Sequence, residues 1–103
     1  MLKNDYGTMQ RVLALDNAHP NAIPIFGGAT LAYNHIHAEA PDFGAFVEYL
    51  FFAIREAQFR KWHNGIADAC RTFCNLCLVD PALVEAYLGI RFETLEEELA
   101  KEV

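Results

Sequence analysis

Three clustered cysteines are the residues best placed to support chemistry. Cys70, Cys74 and Cys77 are the only cysteines of the chain and lie within residues 70–77. Thiolates hold zinc ions and iron–sulfur clusters, and His63 could complete a Cys3His zinc site. An odd, clustered set does not suit a disulfide framework and is typical of reduced thiols. Because the spacing also places all three on one side of a helix, we favour the interpretation that they are small buried apolar residues.

The spacing CxxxCxxC of Cys70, Cys74 and Cys77 resembles the cluster motif of radical S-adenosylmethionine enzymes. The resemblance implies that three thiolates hold a [4Fe–4S] cluster, and it covers only these residues. That family carries its motif in a loop after a strand of a much longer barrel. Here the surrounding residues favour helix, and no strand is predicted before them. We therefore expect no cofactor and keep a zinc or iron–sulfur protein as the alternative.

Other constellations give no catalytic signature. His35 and His37 on a helix point about 200° apart, so they cannot easily share a metal, and we expect surface or interface histidines. Gly27-Gly28 lacks the further glycines and the lysine of a phosphate loop, and we expect a packing turn. No local motif joins a cysteine nucleophile to a histidine and an acid. The sequence therefore predicts a protein that is not an enzyme.

Helix signals dominate the chain. The predicted helices are 9–17 capped by Thr8, 30–39 capped by Thr30, 41–62 with Pro41 in its first turn, 66–78, 81–88 capped by Asp80, and 95–102 opened by a Thr94–Glu97 capping box. A strand is the alternative for 11–15 and for 30–39. A loop is expected over 19–28, and Gly65 is expected in the left-handed conformation after the longest helix. The fold prediction is all-α, a single small domain (1–103) of five or six helices, frayed at 1–7 and acidic at 93–103.

The predicted helix 41–62 is apolar around nearly its whole circumference. Between Ala45 and Ile54 only Glu48 is charged, and one short chain can scarcely cover such a helix on all sides. We therefore predict a homodimer, intertwined or helix-packed, or a partner protein on this helix. The predicted interface residues are Phe43, Phe46, Val47, Tyr49, Leu50, Phe51, Phe52, Ile54 and Phe59. Arg55, Arg60 and Lys61 follow as candidate docking cations.

Composition narrows the functional class. A hydrophobic fraction of 53% excludes disorder, and a net charge of −6 argues against nucleic-acid binding. Much of the acidity lies in 93–103, with five glutamates and one lysine. We find no targeting signal or membrane span and expect a cytoplasmic protein.

The favoured function is a protein-interaction module that regulates or inhibits a larger protein, of the antiactivator, immunity-protein or phage-inhibitor type. A small-molecule sensor with a pocket behind 20–28 is a weaker alternative.

Overall fold

Helices form the regular structure of the residues that the computed structural model describes, 25–62 and 64–101. They are α1 (Ala29–Ile36), α2 (Phe43–Phe59), α3 (Ile66–Leu76), α4 (Pro81–Leu88) and α5 (Phe92–Ala100). Because these residues contain no strand, the all-α prediction is confirmed and the strand alternative for 30–39 is wrong. The predictions for 1–7, 9–17 and 19–24 lie outside the described residues. None of the described helices has the length and apolar character needed to cross a membrane.

Three predicted helix starts are wrong, and each is replaced by another cap. Gly28, not Thr30, is the N-cap of α1. Asp42 is the N-cap of α2 and accepts the Ala45 N–H at 3.0 Å, so Pro41 stands outside the helix. The start of α4 is as predicted, since Asp80 caps the helix and Pro81 begins it.

The third wrong start is that of α5, which begins two residues before the predicted capping box. Its N-cap is Arg91, and Thr94 lies inside the helix. The Phe92 N–H donates instead to the Glu85 carboxylate of α4 at 2.8 Å. A carboxylate from the preceding helix therefore replaces the local cap that the Thr94 motif suggested.

The long helix ends three residues earlier than predicted, in a Schellman motif. The Trp62 N–H donates to the Ala57 carbonyl at 2.9 Å and the Lys61 N–H to the Gln58 carbonyl at 3.2 Å. Lys61 holds the left-handed conformation there with a φ of 55°, so the assignment of this role to Gly65 was wrong. Gly65, with a φ of 93°, is instead the N-cap of α3.

Helices α2 and α3 form the centre of the domain. Helix α2 packs against α1 and α3, whereas α3 also contacts α4 and α5. The core between them is aromatic. The Phe26 ring meets Trp62 edge-on with centroids 5.4 Å apart, and the Phe73 ring lies 5.6 Å from that of Phe46.

The acidic helix α5 is held to α3 by apolar and charged contacts. Phe92 is fully buried, and the Arg71 guanidinium lies 5.9 Å from its ring centroid. Glu93 forms an ion pair with Arg71. Glu96 accepts the Ala67 N–H at 3.0 Å, which places a carboxylate at the positive end of the α3 dipole. Part of the C-terminal acidity is therefore structural.

Candidate functional site

The three cysteines lie in the core around the C-terminal half of α3. Cys70 and Cys74 are on the helix, Cys77 is its C-cap, and all three are 0% exposed. This confirms the interpretation that they are buried residues of one helix. Burial raises the pKa of Cys74 to about 12 and, together with the neighbouring Cys74, raises the pKa of Cys70 and Cys77 well above the ordinary thiol value. The thiols are therefore protonated and poorly nucleophilic at neutral pH.

The expectation of no cofactor at these thiols stays a prediction, as does its alternative of a zinc or iron–sulfur site. Within residues 25–62 and 64–101, no three histidine, cysteine or acidic side chains are grouped so that they could hold a metal ion. His63, the fourth ligand considered above, lies outside the described residues. The Cys77 thiol donates to the Ala29 carbonyl at 3.4 Å, so its contact in this structure is with the α1 backbone.

The two histidines have structural partners, which the sequence did not indicate. The His37 ring donates from Nε2 to the Cys77 carbonyl at 2.7 Å, which satisfies a C-terminal carbonyl of α3. The His35 ring stacks on Tyr49 with centroids 5.8 Å apart. Both are half-buried within the chain, so the surface part of the expectation of surface or interface histidines is only partly right, and the interface part stays a prediction.

The predicted interface residues of α2 fall into three groups. Phe46, Leu50 and Ile54 belong to the core, with at most 2% exposure. Val47 and two aromatic residues are half-buried against neighbouring elements. The two aromatic residues are Phe43, which stacks on Tyr87 at 5.3 Å, and Tyr49, which stacks on His35. Phe51, Phe52 and Phe59 are exposed by 38%, 65% and 80%.

These exposed rings define a continuous strip, which we call the outer face of α2. Its members are Gly44, Glu48, Phe51, Phe52, Arg55 and Phe59, all exposed. At about 100° per residue they occupy a sector about 100° wide, opposite the core residues Phe46 and Ala57. The chain therefore presents three phenylalanines to solvent on the longest of the described helices.

Charged groups lie at the centre of the outer face. Glu48 and Arg55, seven residues apart, differ by only about 20° around the helix axis. The ion pairs found among the described residues include neither of them. Both charges are therefore available to a partner.

The other predicted docking cations have different surroundings. Arg60 pairs with Glu56 at 3.0 Å. Lys61 is exposed but occupies the left-handed position after α2. Only Arg55 of the three lies among the exposed rings.

A groove borders the outer face on the side of α1. It has a volume of 480 Å³ and lies between the turn at Gly27-Gly28 and the residues Tyr49, Phe52 and Glu56. The backbone of Gly28 approaches Tyr49 so closely that an added Cβ would lie 2.9 Å from its ring. The expected packing turn is thus confirmed at Gly27-Gly28, and it forms one wall of the groove.

Sequence reasoning missed the role of Gly44. The residue adds no side chain to the strip one turn before Glu48, and a Cβ added there would lie 3.4 Å from the Asp42 carboxylate and 3.9 Å from the Tyr87 hydroxyl. The signal was present, because Gly44, Glu48, Phe51, Phe52, Arg55 and Phe59 recur at helical spacings of three and four residues. The sequence does not distinguish this exposed stripe from the core stripe of the same helix, because both are rich in phenylalanine.

The chain matches no protein-family model, no curated protein and no solved structure. The indication of its function therefore comes from the outer face of α2 and from the fold that presents it.

Proposed function

We propose that the protein is an interaction module that binds a larger protein through the outer face of α2 and thereby regulates or inhibits it. The observation that carries the proposal is the exposure of Phe52 and Phe59, at 65% and 80%. A single exposed apolar residue is ordinary, whereas a strip of three phenylalanines on one helix supports a role in binding. Rings of this kind supply most of the energy at protein interfaces.

The partner surface that suits this face is an apolar groove with at least one charge. Phe51, Phe52 and Phe59 act as anchors at helical spacing, as in helix-in-groove recognition. Glu48 and Arg55 between them set the orientation, because a partner must offer opposite charges at matching positions. The interaction needs no reacting group on this chain, which is consistent with a binding rather than a catalytic role.

Affinity capture with a matched pair of variants tests the proposal. The test bait is Phe52→Ser/Phe59→Ser, and the control bait is Leu31→Ser/Leu83→Ser, which alters two residues exposed by 54% and 56% on α1 and α4. Proteins retained by the wild-type chain are quantified by mass spectrometry, and binding is measured with the purified partner. We expect the control to bind like the wild type and the test variant to lose at least tenfold in affinity. Equal binding by all three baits refutes the proposal.

A further inference from the structure

The outer face of α2 has a two-fold pattern about its midpoint. The midpoint lies between Phe51 and Phe52. Glu48 lies as many residues before this midpoint as Arg55 lies after it. Gly44 and Phe59 also lie at equal distances before and after it. An antiparallel pair of identical helices brings such positions level with each other.

We infer that this face pairs with the same face of a second copy of the chain, in antiparallel orientation centred between Phe51 and Phe52. In that register each Glu48 lies level with Arg55 of the second copy, so the ion pair forms twice. The Phe51 rings of the two copies meet on one side of the helix pair, and the two Phe52 rings meet on the other side. Each Phe59 lies level with Gly44 of the second copy, which places no side chain of its own against the ring.

Charge complementarity favours this register over its neighbours. A parallel pair in register brings Glu48 against Glu48 and Arg55 against Arg55, which is repulsive. A shift of the antiparallel pair by one helical turn separates the unlike charges. A second copy therefore satisfies the face better than an uncharged apolar helix, which would leave Glu48 and Arg55 without partners.

The area available indicates a reversible dimer. The exposed parts of Phe51, Phe52 and Phe59 amount to about 350 Å² per chain, if a phenylalanine offers about 200 Å². Two copies with the flanking residues then bury about 1,000 Å², which is the low end of specific interfaces. We expect a dimer of micromolar affinity rather than an obligate one.

Self-pairing and partner binding use the same three rings, so they exclude each other. The inference rests on the proposed function to the extent that it takes this face to be a protein-binding surface. It adds a form of regulation, in which dissociation of the dimer exposes the face to the larger protein.

Charge reversal provides the test, because the register predicts which variants will pair. Glu48→Arg alone and Arg55→Glu alone place like charges at both symmetric positions. Mixed with each other, the two variants restore both unlike pairs. Glu39→Arg, an exposed residue outside α2, carries the same charge change as Glu48→Arg and is the control.

Sedimentation velocity up to about 200 μM, chosen to span micromolar affinities, and native mass spectrometry give the readout. We expect dimers of the wild type and of Glu39→Arg, at least tenfold weaker self-association of each single α2 variant, and a heterodimer on mixing. A wild-type chain that stays monomeric, or variants that do not pair on mixing, overturns the inference. If the monomer still captures a larger protein through Phe52 and Phe59, the proposed function stands without it.

Discussion

Alkaline destabilisation is the most direct consequence of the buried cysteine cluster. Cys70, Cys74 and Cys77 are fully buried, and their pKa values lie above the ordinary value of 9.0. The unfolded chain loses these protons as the pH rises past about 9, whereas the folded chain keeps them. Because the unfolded state then binds fewer protons, the free energy of unfolding falls with pH, and it is highest below pH 9.

The expected loss can be worked out for each thiol. At pH 10, one unit above the ordinary value, ionisation in the unfolded state costs the fold about 1.4 kcal/mol per thiol. Three thiols therefore lower the free energy of unfolding by about 4 kcal/mol between pH 7 and pH 10. This is a large fraction of the stability of a small domain.

Urea unfolding followed by tryptophan fluorescence measures the loss. Trp62 is the only tryptophan and is buried against Phe26, so its emission reports the fold. Cys74→Ala is the matched control. It costs about 1–2 kcal/mol at every pH through the lost side chain, but it removes one titrating thiol.

The difference between pH 7 and pH 10 is therefore expected to shrink by about a third, to about 3 kcal/mol, in the Cys74→Ala variant. Other groups that titrate in this range contribute equally to both proteins and do not affect the comparison. If the wild type and the variant lose the same amount, the Cys74 thiol ionises in the folded state as it does in the unfolded chain, and the reasoning is wrong.

Three further predictions concern the helix ends, and all use the same urea titration at pH 7. Gly65→Ala is expected to cost about 1–3 kcal/mol, because φ is 93° there and the new Cβ would lie 2.6 Å from the Glu96 carboxylate. An unchanged midpoint would show that this turn relaxes freely. Lys61→Gly is expected to stabilise the fold by about 0.5–1 kcal/mol, since glycine adopts the left-handed conformation without strain; a loss of stability contradicts this. Glu96→Ala is expected to cost about 1 kcal/mol by leaving the Ala67 N–H without its acceptor, whereas the exposed neighbour Glu97→Ala is expected to change little. Equal effects of the two substitutions would refute the capping role.

Periodicity and capping residues predicted most of the fold. Asp80, Pro81 and Gly89 mark the start and end of α4 because each acts on the backbone of that helix, at its own position or two residues on. The error at the start of α5 arose because a distant residue competes with a local signal. Glu85 of α4 caps α5 across the turn between the two helices, so the Thr94 capping box does not form. No rule of residue spacing predicts a contact of this kind. The Schellman end of α2 is fixed by Trp62 packing into the core, which makes the left-handed Lys61 tolerable.

The candidate site was predictable only as a helix. The sequence shows that α2 carries more apolar residues than one buried face of a helix can hold. Which side of α2 the rest of the chain covers depends on where α1 and α3 dock. Phe46 and Phe52 have the same residue type and lie six positions apart, yet one is 0% and the other 65% exposed. Only the packed structure separates the core stripe from the outer face.

The central claim is that the outer face of α2 is where the protein binds. Site-specific photocrosslinking tests it directly. A benzophenone amino acid is placed at Phe59, exposed by 80% on this face, and at Leu83, exposed by 56% on α4, and each chain is irradiated in the source cell. We predict crosslinks to protein from position 59, whether to a second copy or to a larger partner, and none from position 83. Crosslinks from position 83 with none from position 59 would contradict the account.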